Sequence, residues 1–341
     1  MEDKKNTVLL TGISGWIAQF CAIELIKQGY YVRGSLRSLN KQSEVINELN
    51  LAVDTSNKLE FCKLDLLNDT GWDEAMTGCT YVLHLASPFT MTIPKHENDL
   101  ITPAKEGALR ALKTAKKAGV KRLVLTSSFA AMAAHIKEGS FNPSSWTDLT
   151  DTNINAYQKS KTIAEKAAWE FIHNQGTTAP LEMTVINPGA VFGPTLGNNI
   201  KGESLSICAQ LLTGKMPGIP NINTVMVDVR DVAKHHVQAM IHPDANGKRF
   251  ISAHATPTPF LELAQTLQQH GYKVTTRKVP TFILKIMSLF DRQIKGMLPV
   301  TDRIVNCDNS DTINTFNWTP IPLKKTFVDM AASVQKVLNK S

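Results

Sequence analysis

The sequence is poor in the features that would place it outside ordinary globular chemistry. It has five cysteines (Cys21, Cys62, Cys79, Cys208, Cys307), an odd number, widely spaced and without a CxxC pair. That excludes a disulfide framework and a zinc site, and fits reduced thiols in the cytosol. No apolar run approaches the ~18 residues of a membrane span. The stretch Val279 to Phe290 comes nearest, but Lys285 interrupts it and it reads as an amphipathic helix. Met1 to Asn6 is polar and lacks the apolar core of a signal peptide, so a cytoplasmic protein without a membrane partner is expected. There is no arginine-rich arm and no interleaving of aromatic with basic residues, so nucleic acid is not an expected partner. The net charge of +7 is spread along the chain. It suits either an anionic ligand or plain solubility. Repeats, low-complexity tracts and linkers are also missing.

What is present is an alternation of strands and helices. Thr7 to Thr11 (TVLLT) is a continuous apolar run, suited to a strand buried on both faces. Ile17 to Gln28 has helical spacing and is closed by Gly29. Tyr30 to Leu36, Leu59 to Leu64 and Tyr81 to Leu85 read as further strands. Pro103 to Ala118 reads as a helix, Arg122 to Thr126 as a fifth strand, Ala156 to Gln175 as a long helix and Leu181 to Asn187 as a sixth strand. The pattern predicts an α/β fold, a Rossmann-type doubly wound parallel sheet. Beyond it, glycine and proline cluster between Gly189 and Pro220, which predicts loops around a cleft. A helix over Val229 to Ile241, a strand over Lys248 to Ser252 and a smaller α+β remainder follow. The expected division is a cofactor domain over 1–190, with segments returning near 220–255, and a mainly substrate-binding portion over 191–341.

The turn after the first strand is Thr11-Gly12-Ile13-Ser14-Gly15-Trp16-Ile17-Ala18. Gly12 permits a sharp turn, Gly15 clears space for a pyrophosphate, and Ala18 lets the helix pack on the sheet. The helix N-terminus adds backbone donors and a partial positive charge. A tight turn without a ligand is the alternative. About twenty residues on, where an Asp or Glu would read the 2′-hydroxyl of NAD, stands Arg33-Gly34-Ser35-Leu36-Arg37-Ser38. Arg37 is placed to pair with a 2′-phosphate, helped by Ser35 or Ser38, or is a solvated loop arginine. Arg33 is expected on the sheet flank. Asp65, with Leu66, ends the third strand and either accepts from an adenine amino group or caps the next helix.

Tyr157-Gln158-Lys159-Ser160-Lys161 opens the long helix. Residues four apart share a face, so the Lys161 ammonium is expected to lower the Tyr157 phenol pKa and make it a proton donor near neutrality. The same spacing also occurs where a helix merely carries a surface lysine. Thr126-Ser127-Ser128 ends the fifth strand, at the sheet edge where open α/β folds bind ligands. Ser128 is the candidate to hold a substrate carbonyl, and Ser127 to cap a loop.

These segments resemble the extended short-chain dehydrogenase/reductase family, in its dihydroflavonol reductase and aldehyde reductase branch. The matches are TGISGWIA at Thr11–Ala18, Asp65-Leu66, Gly78-Cys79, HLASP at His84–Pro88, RLVLTSS at Arg122–Ser128, YQKSKTIAEKAAW at Tyr157–Trp169, NPGAVFGP at Asn187–Pro194 and VDVRDVA at Val227–Ala233. The resemblance implies a Ser128, Tyr157, Lys161 triad, with Ala86 at the nicotinamide ribose, Pro188 at the ring, and Asp228–Val232 supporting the cleft. Trp16 stands where members usually have Phe, Ala18 where many have Gly, and Asn155-Ala156 where plant enzymes carry a bulky aromatic. The expected activity is NADP(H)-dependent reduction of a small, hydrophobic carbonyl compound, by a monomer or homodimer. A nucleotide-sugar epimerase or dehydratase on the same scaffold, and a non-enzymatic NADP-sensing regulator, are the alternatives.

Overall fold

The computed structural model describes residues 6–88, 94–200, 202–290 and 298–340. Thr7–Thr11 (β1) is followed by Trp16–Lys27 (α1), Tyr31–Leu36 (β2), Leu59–Lys63 (β3), Cys79–His84 (β4), Asn98–Lys117 (α2), Arg122–Thr126 (β5), Ala156–His173 (α3) and Glu182–Pro188 (β6). Glu203–Leu212 (α4), Val229–Ile241 (α5), Arg249–Ser252 (β7), Phe260–Gln269 (α6) and Leu323–Leu338 (α7) complete the main elements. The seven strands form one sheet, ordered β7-β6-β5-β4-β1-β2-β3, and every neighbouring pair is parallel.

Helices cover both faces, because the central strands are apolar on both. On β1, Val8 and Leu10 join one core with α1 and α5, while Leu9 joins the other with α2 and α3. A third core, built on Phe192, Leu205, Phe260 and Phe327, packs α4, α6 and α7 together. Four short strand pairs tie the C-terminal part together, among them Ile304–Cys307 against Glu138–Phe141.

Two expectations need correction. Pro103 does not start its helix, which begins five residues earlier at Asn98 and carries the proline inside. The missing N–H costs one bond to the Asp99 carbonyl near the helix start, which burial of Leu100, Ala104 and Ala108 offsets. The segment from Gly189 to Pro220 is not all loop. It contains Ala190–Phe192, paired with Met226–Asp228, and α4, whose Leu205, Ile207, Cys208 and Leu211 are buried. Their three- and four-residue spacing is helical, and the flanking glycines and prolines mask it.

Three histidines lie fully inside this frame. His84 ends β4, and His235 and His236 lie on α5. Burial holds His84 and His235 down to about 3 and His236 to about 4. In the unfolded chain they bind protons near 6.5. Their contribution to stability is therefore complete above that value and is lost as the pH falls toward the folded values. Urea unfolding at pH 5.5 should show about 1 kcal/mol lost per histidine relative to pH 7.5. Identical midpoints at the two pH values would show that these histidines are not neutral in the fold.

Candidate active site

Since all seven strands run the same way, their carboxyl ends share one edge. The strand order reverses between β1 and β4, and the crevice of a doubly wound sheet lies there. The Thr11 hydroxyl bridges this point. It accepts the N–H groups of Leu85 and Ala86 at 3.1 and 3.0 Å, and its Oγ1 lies 3.1 Å from His84 Nδ1. With both lone pairs engaged, the hydroxyl proton turns to a neutral His84.

Gly12 follows with φ +70, and a Cβ there would lie 3.1 Å from the Ala86 backbone. Its N–H donates to Ser35 Oγ at 3.0 Å and its carbonyl accepts from Gly15. Ile13 fills the space over Gly34, where a Cβ would come within 2.5 Å of it. Ser14, Trp16 and Ile17 are partly exposed, and no side chain caps α1 at Gly15. Trp16 Nε1 donates to the Pro194 carbonyl at 2.9 Å, which ties α1 to the segment leading to α4. The turn thus presents backbone donors at a helix N-terminus with no side chain in the way, the form of a phosphate cradle.

Arg37 is exposed just past β2. Ser35 is buried and buttresses Gly12, so it belongs to the turn and not to a 2′-phosphate contact. Arg33 lies on the sheet flank as expected, paired with Glu60 and donating to the Ala75 and Thr77 carbonyls. Asp65 caps no helix. Its Oδ1 accepts Leu67 N–H at 2.8 Å in a local turn, leaving it exposed beside partly buried Leu66.

The long helix starts where it does because Asn155 and Gln158 form a reciprocal cap: Asn155 Oδ1 accepts Gln158 N–H at 2.9 Å and Gln158 Oε1 accepts Asn155 N–H at 2.8 Å. The cap fixes Tyr157 in the first turn, hydrogen-bonded to Ser128, with Lys161 one turn on. Ser128 Oγ also accepts Ala130 N–H. Burial raises the Tyr157 phenol above its usual value, partly opposed by the Ser128 bond. The expected lowering by Lys161 is not what dominates. The Lys161 ammonium is itself buried, pushed down to about 8, and donates to the Thr126 carbonyl at 3.2 Å. Pro188 ends β6 and its carbonyl accepts Phe129 N–H.

Several groups near the site carry no assigned role in the sequence reading. Glu165, Asn187, Arg249 and His84 are all buried here. The usable signal for Glu165 is its position four residues after Lys161, on the same helical face. Further along, Asp228 is buried, pairs with Arg230 and accepts from Thr326 of α7, so it holds the C-terminal helix in place.

The sheet order and the glycine turn define a dinucleotide-binding α/β protein of the extended short-chain dehydrogenase/reductase type. Residues 8–251 match the NAD dependent epimerase/dehydratase family, and the chain belongs to it. A relative in Saccharomyces cerevisiae, the putative uncharacterized oxidoreductase YDR541C, is 30% identical over 98% of this chain and 99% of its own length. The NADPH-dependent methylglyoxal reductase GRE2 of the same species is 34% identical over 73% of this chain and 78% of its own. The crystal structure of yeast methylglyoxal/isovaleraldehyde reductase Gre2 complexed with NADPH superposes with a TM-score of 0.79. It is 28% identical in sequence, and the match covers 98% of this chain and 100% of that one.

Gly12→Ala tests the turn. A left-handed backbone with a side chain costs of order 1–3 kcal/mol, and the added methyl presses on Ala86. Dinucleotide binding should weaken at least tenfold, and the unfolding midpoint should drop. Unchanged binding by titration would mean that the ligand does not approach this turn.

Proposed function

We propose that this protein is an NADPH-dependent carbonyl reductase that converts an aldehyde or ketone to the alcohol. The observation that carries this reading is the convergence of Ser128, Tyr157 and Lys161 at the sheet edge beside the glycine turn, with Tyr157 and Ser128 hydrogen-bonded. The reductases named among the relatives support it.

In this reading the turn from Thr11 to Ile17 holds the pyrophosphate, Arg37 pairs with the 2′-phosphate, and Asp65 and Leu66 border the adenine. Ala86, Pro188, Tyr157 and Lys161 border the nicotinamide and its ribose. When bound, NADP(H) supplies the hydride. Ser128 Oγ orients the substrate carbonyl. Tyr157 Oη gives its proton to the alkoxide oxygen that forms, so that hydride and proton together add across the C=O bond. Its raised pKa keeps it protonated and ready to donate at neutral pH. Lys161, one turn away, attracts the phenolate left behind. Residues 1–190, with the segments near 220–255, serve the cofactor, and 191–341 serve mainly the substrate. The helix Thr281–Met287, with Phe282 and Ile286 exposed, would border the cleft and receive a hydrophobic substrate. Five free thiols support a cytosolic location, and the protein would act as a monomer or homodimer.

The epimerase alternative calls for a ribose carboxylate, and 33–38 contains none. A sensor has no need of a Tyr157–Ser128 pair poised for proton transfer.

Tyr157→Phe should fold and bind NADPH normally while kcat falls by at least ~10². Near-normal turnover would remove Tyr157 from the chemistry. The cofactor assignment has its own test. A partly exposed charge-assisted contact of ~1.5–3 kcal/mol corresponds to about one to two orders of magnitude in affinity. Arg37→Ala should therefore raise KM for NADPH by about tenfold or more and leave that for NADH nearly unchanged. A kcat/KM with NADH equal to or above that with NADPH, in the unmodified protein, would overturn the assignment.

A further inference from the structure

Glu165 is fully buried, one turn beyond Lys161, and its carboxylate gathers four segments of the chain. Oε2 accepts from the Ser127 hydroxyl at 2.5 Å and from Asn187 Nδ2 at 2.9 Å. Oε1 accepts from Arg249 Nε at 2.5 Å and from Trp169 Nε1 at 3.3 Å. Asn187 Nδ2 also donates to the Ser128 carbonyl at 3.2 Å. Arg249, reaching over from the edge strand β7, donates to the Pro143 and Ser145 carbonyls at 2.6 Å and stacks 3.8 Å above the Trp146 ring. The node therefore fixes the Ser127-Ser128 corner, the segment that leads into the catalytic helix, and the helix itself.

A buried ion pair is an inefficient way to gain stability, since apolar side chains of equal volume often serve as well. This pair also adjoins the site. Glu165 and Lys161 line one small cavity of about 10 Å³, walled by polar groups of His84, Ser87, Thr126 and Ser127 and also by alanines and Leu125. The Ser87 hydroxyl, buried at that wall, has no hydrogen-bond partner among the described residues.

We infer that Glu165 is a positioning residue for the reduction: braced by Arg249, its carboxylate holds the Ser128 backbone and the Lys161 ammonium in register with Tyr157. This rests on the reading of Ser128, Tyr157 and Lys161 given above. The titratable groups around Lys161 are Tyr157 and Glu165 on its own helix and His84 from β4. Arg249 from β7 stands behind Glu165, and His236 from α5 reaches the Thr126 hydroxyl at 2.7 Å. Both histidines are neutral at working pH, so Glu165 supplies the negative charge that favours the ammonium.

Glu165→Gln keeps the shape and removes the charge. Steady-state kinetics with NADPH should show kcat about tenfold lower, as expected of misplaced reacting groups, with NADPH affinity changed less than about threefold. The alkaline limb of the kcat profile, expected where the Lys161 ammonium loses its proton, should move to lower pH by about one unit, because that ammonium loses its attracting neighbour. Glu165→Gln leaves Arg249 uncompensated, so the double variant Glu165→Gln, Arg249→Met, which removes both charges, is measured beside it. The kcat loss in either folded variant, with the larger limb shift in Glu165→Gln alone, would support the inference. A kcat and pH profile equal to the parent's, whatever the melting temperature, would overturn it, and so would failure of both variants to fold, which would make the node structural. Tyr157→Phe separates the two layers. If that variant is inactive and the Glu165 variants are normal, only the positioning role falls; if it is active, the reductase reading falls first.

Discussion

The parallel pairing of β1 with β4 is the constraint on which the site depends. It brings Thr11 beside His84 in register and sets the cofactor turn against the chain leaving β4. Three contacts follow from that adjacency: the Thr11 hydroxyl accepts the Leu85 and Ala86 N–H groups, and Gly12 lies against Ala86 with no room for a side chain. Were the two strands antiparallel, or separated by a third, the turn and the Ala86 segment would lie at opposite edges or out of reach. Once they are joined, β5 and β6 extend the same edge and deliver Ser128 and Pro188 to it.

Much of this was legible in the sequence, for reasons particular to each element. TVLLT reads as a strand buried on both faces because it has no polar interruption, and the two cores divide its side chains as expected. The glycines of the turn are informative because each answers to a steric demand that few other residues meet. Tyr157 and Lys161 are readable because helical spacing puts them on one face whatever the surrounding fold. What escaped depends on partners far apart in the chain. Arg249 and Glu165 are 84 residues apart, and nothing local in either segment announces the pair. Ser35 looks like a ligand for a phosphate when taken with Arg37, and only the fold shows that it turns inward to Gly12. The helix start at Asn98 was missed because tertiary burial outweighed the local penalty of Pro103.

Burial accounts for both the electrostatics and the geometry at the site. A phenol beside an ammonium in water would be expected to ionise more readily, which is how the sequence pattern is read. Inside the fold the removal of water acts on both groups in opposite senses. It raises the Tyr157 phenol and lowers the Lys161 ammonium, so the phenol becomes the tighter holder of its proton.

Desolvation pulls the Lys161 ammonium down, and it is here that the deeper layer of the fold acts on the site. The protein opposes that shift with a carboxylate one turn below, Glu165, and neutralises the excess of that carboxylate with Arg249 from the edge strand. Arg249 is in turn held by the Trp146 ring and by the carbonyls of Pro143 and Ser145, in the segment that leads to the Asn155 cap. The same Arg249 that balances the charge beneath Lys161 therefore also anchors the Pro143–Trp146 segment, which precedes the helix that carries Tyr157. Moving Arg249 should therefore disturb both the proton affinity of Lys161 and the packing of the segment ahead of that helix.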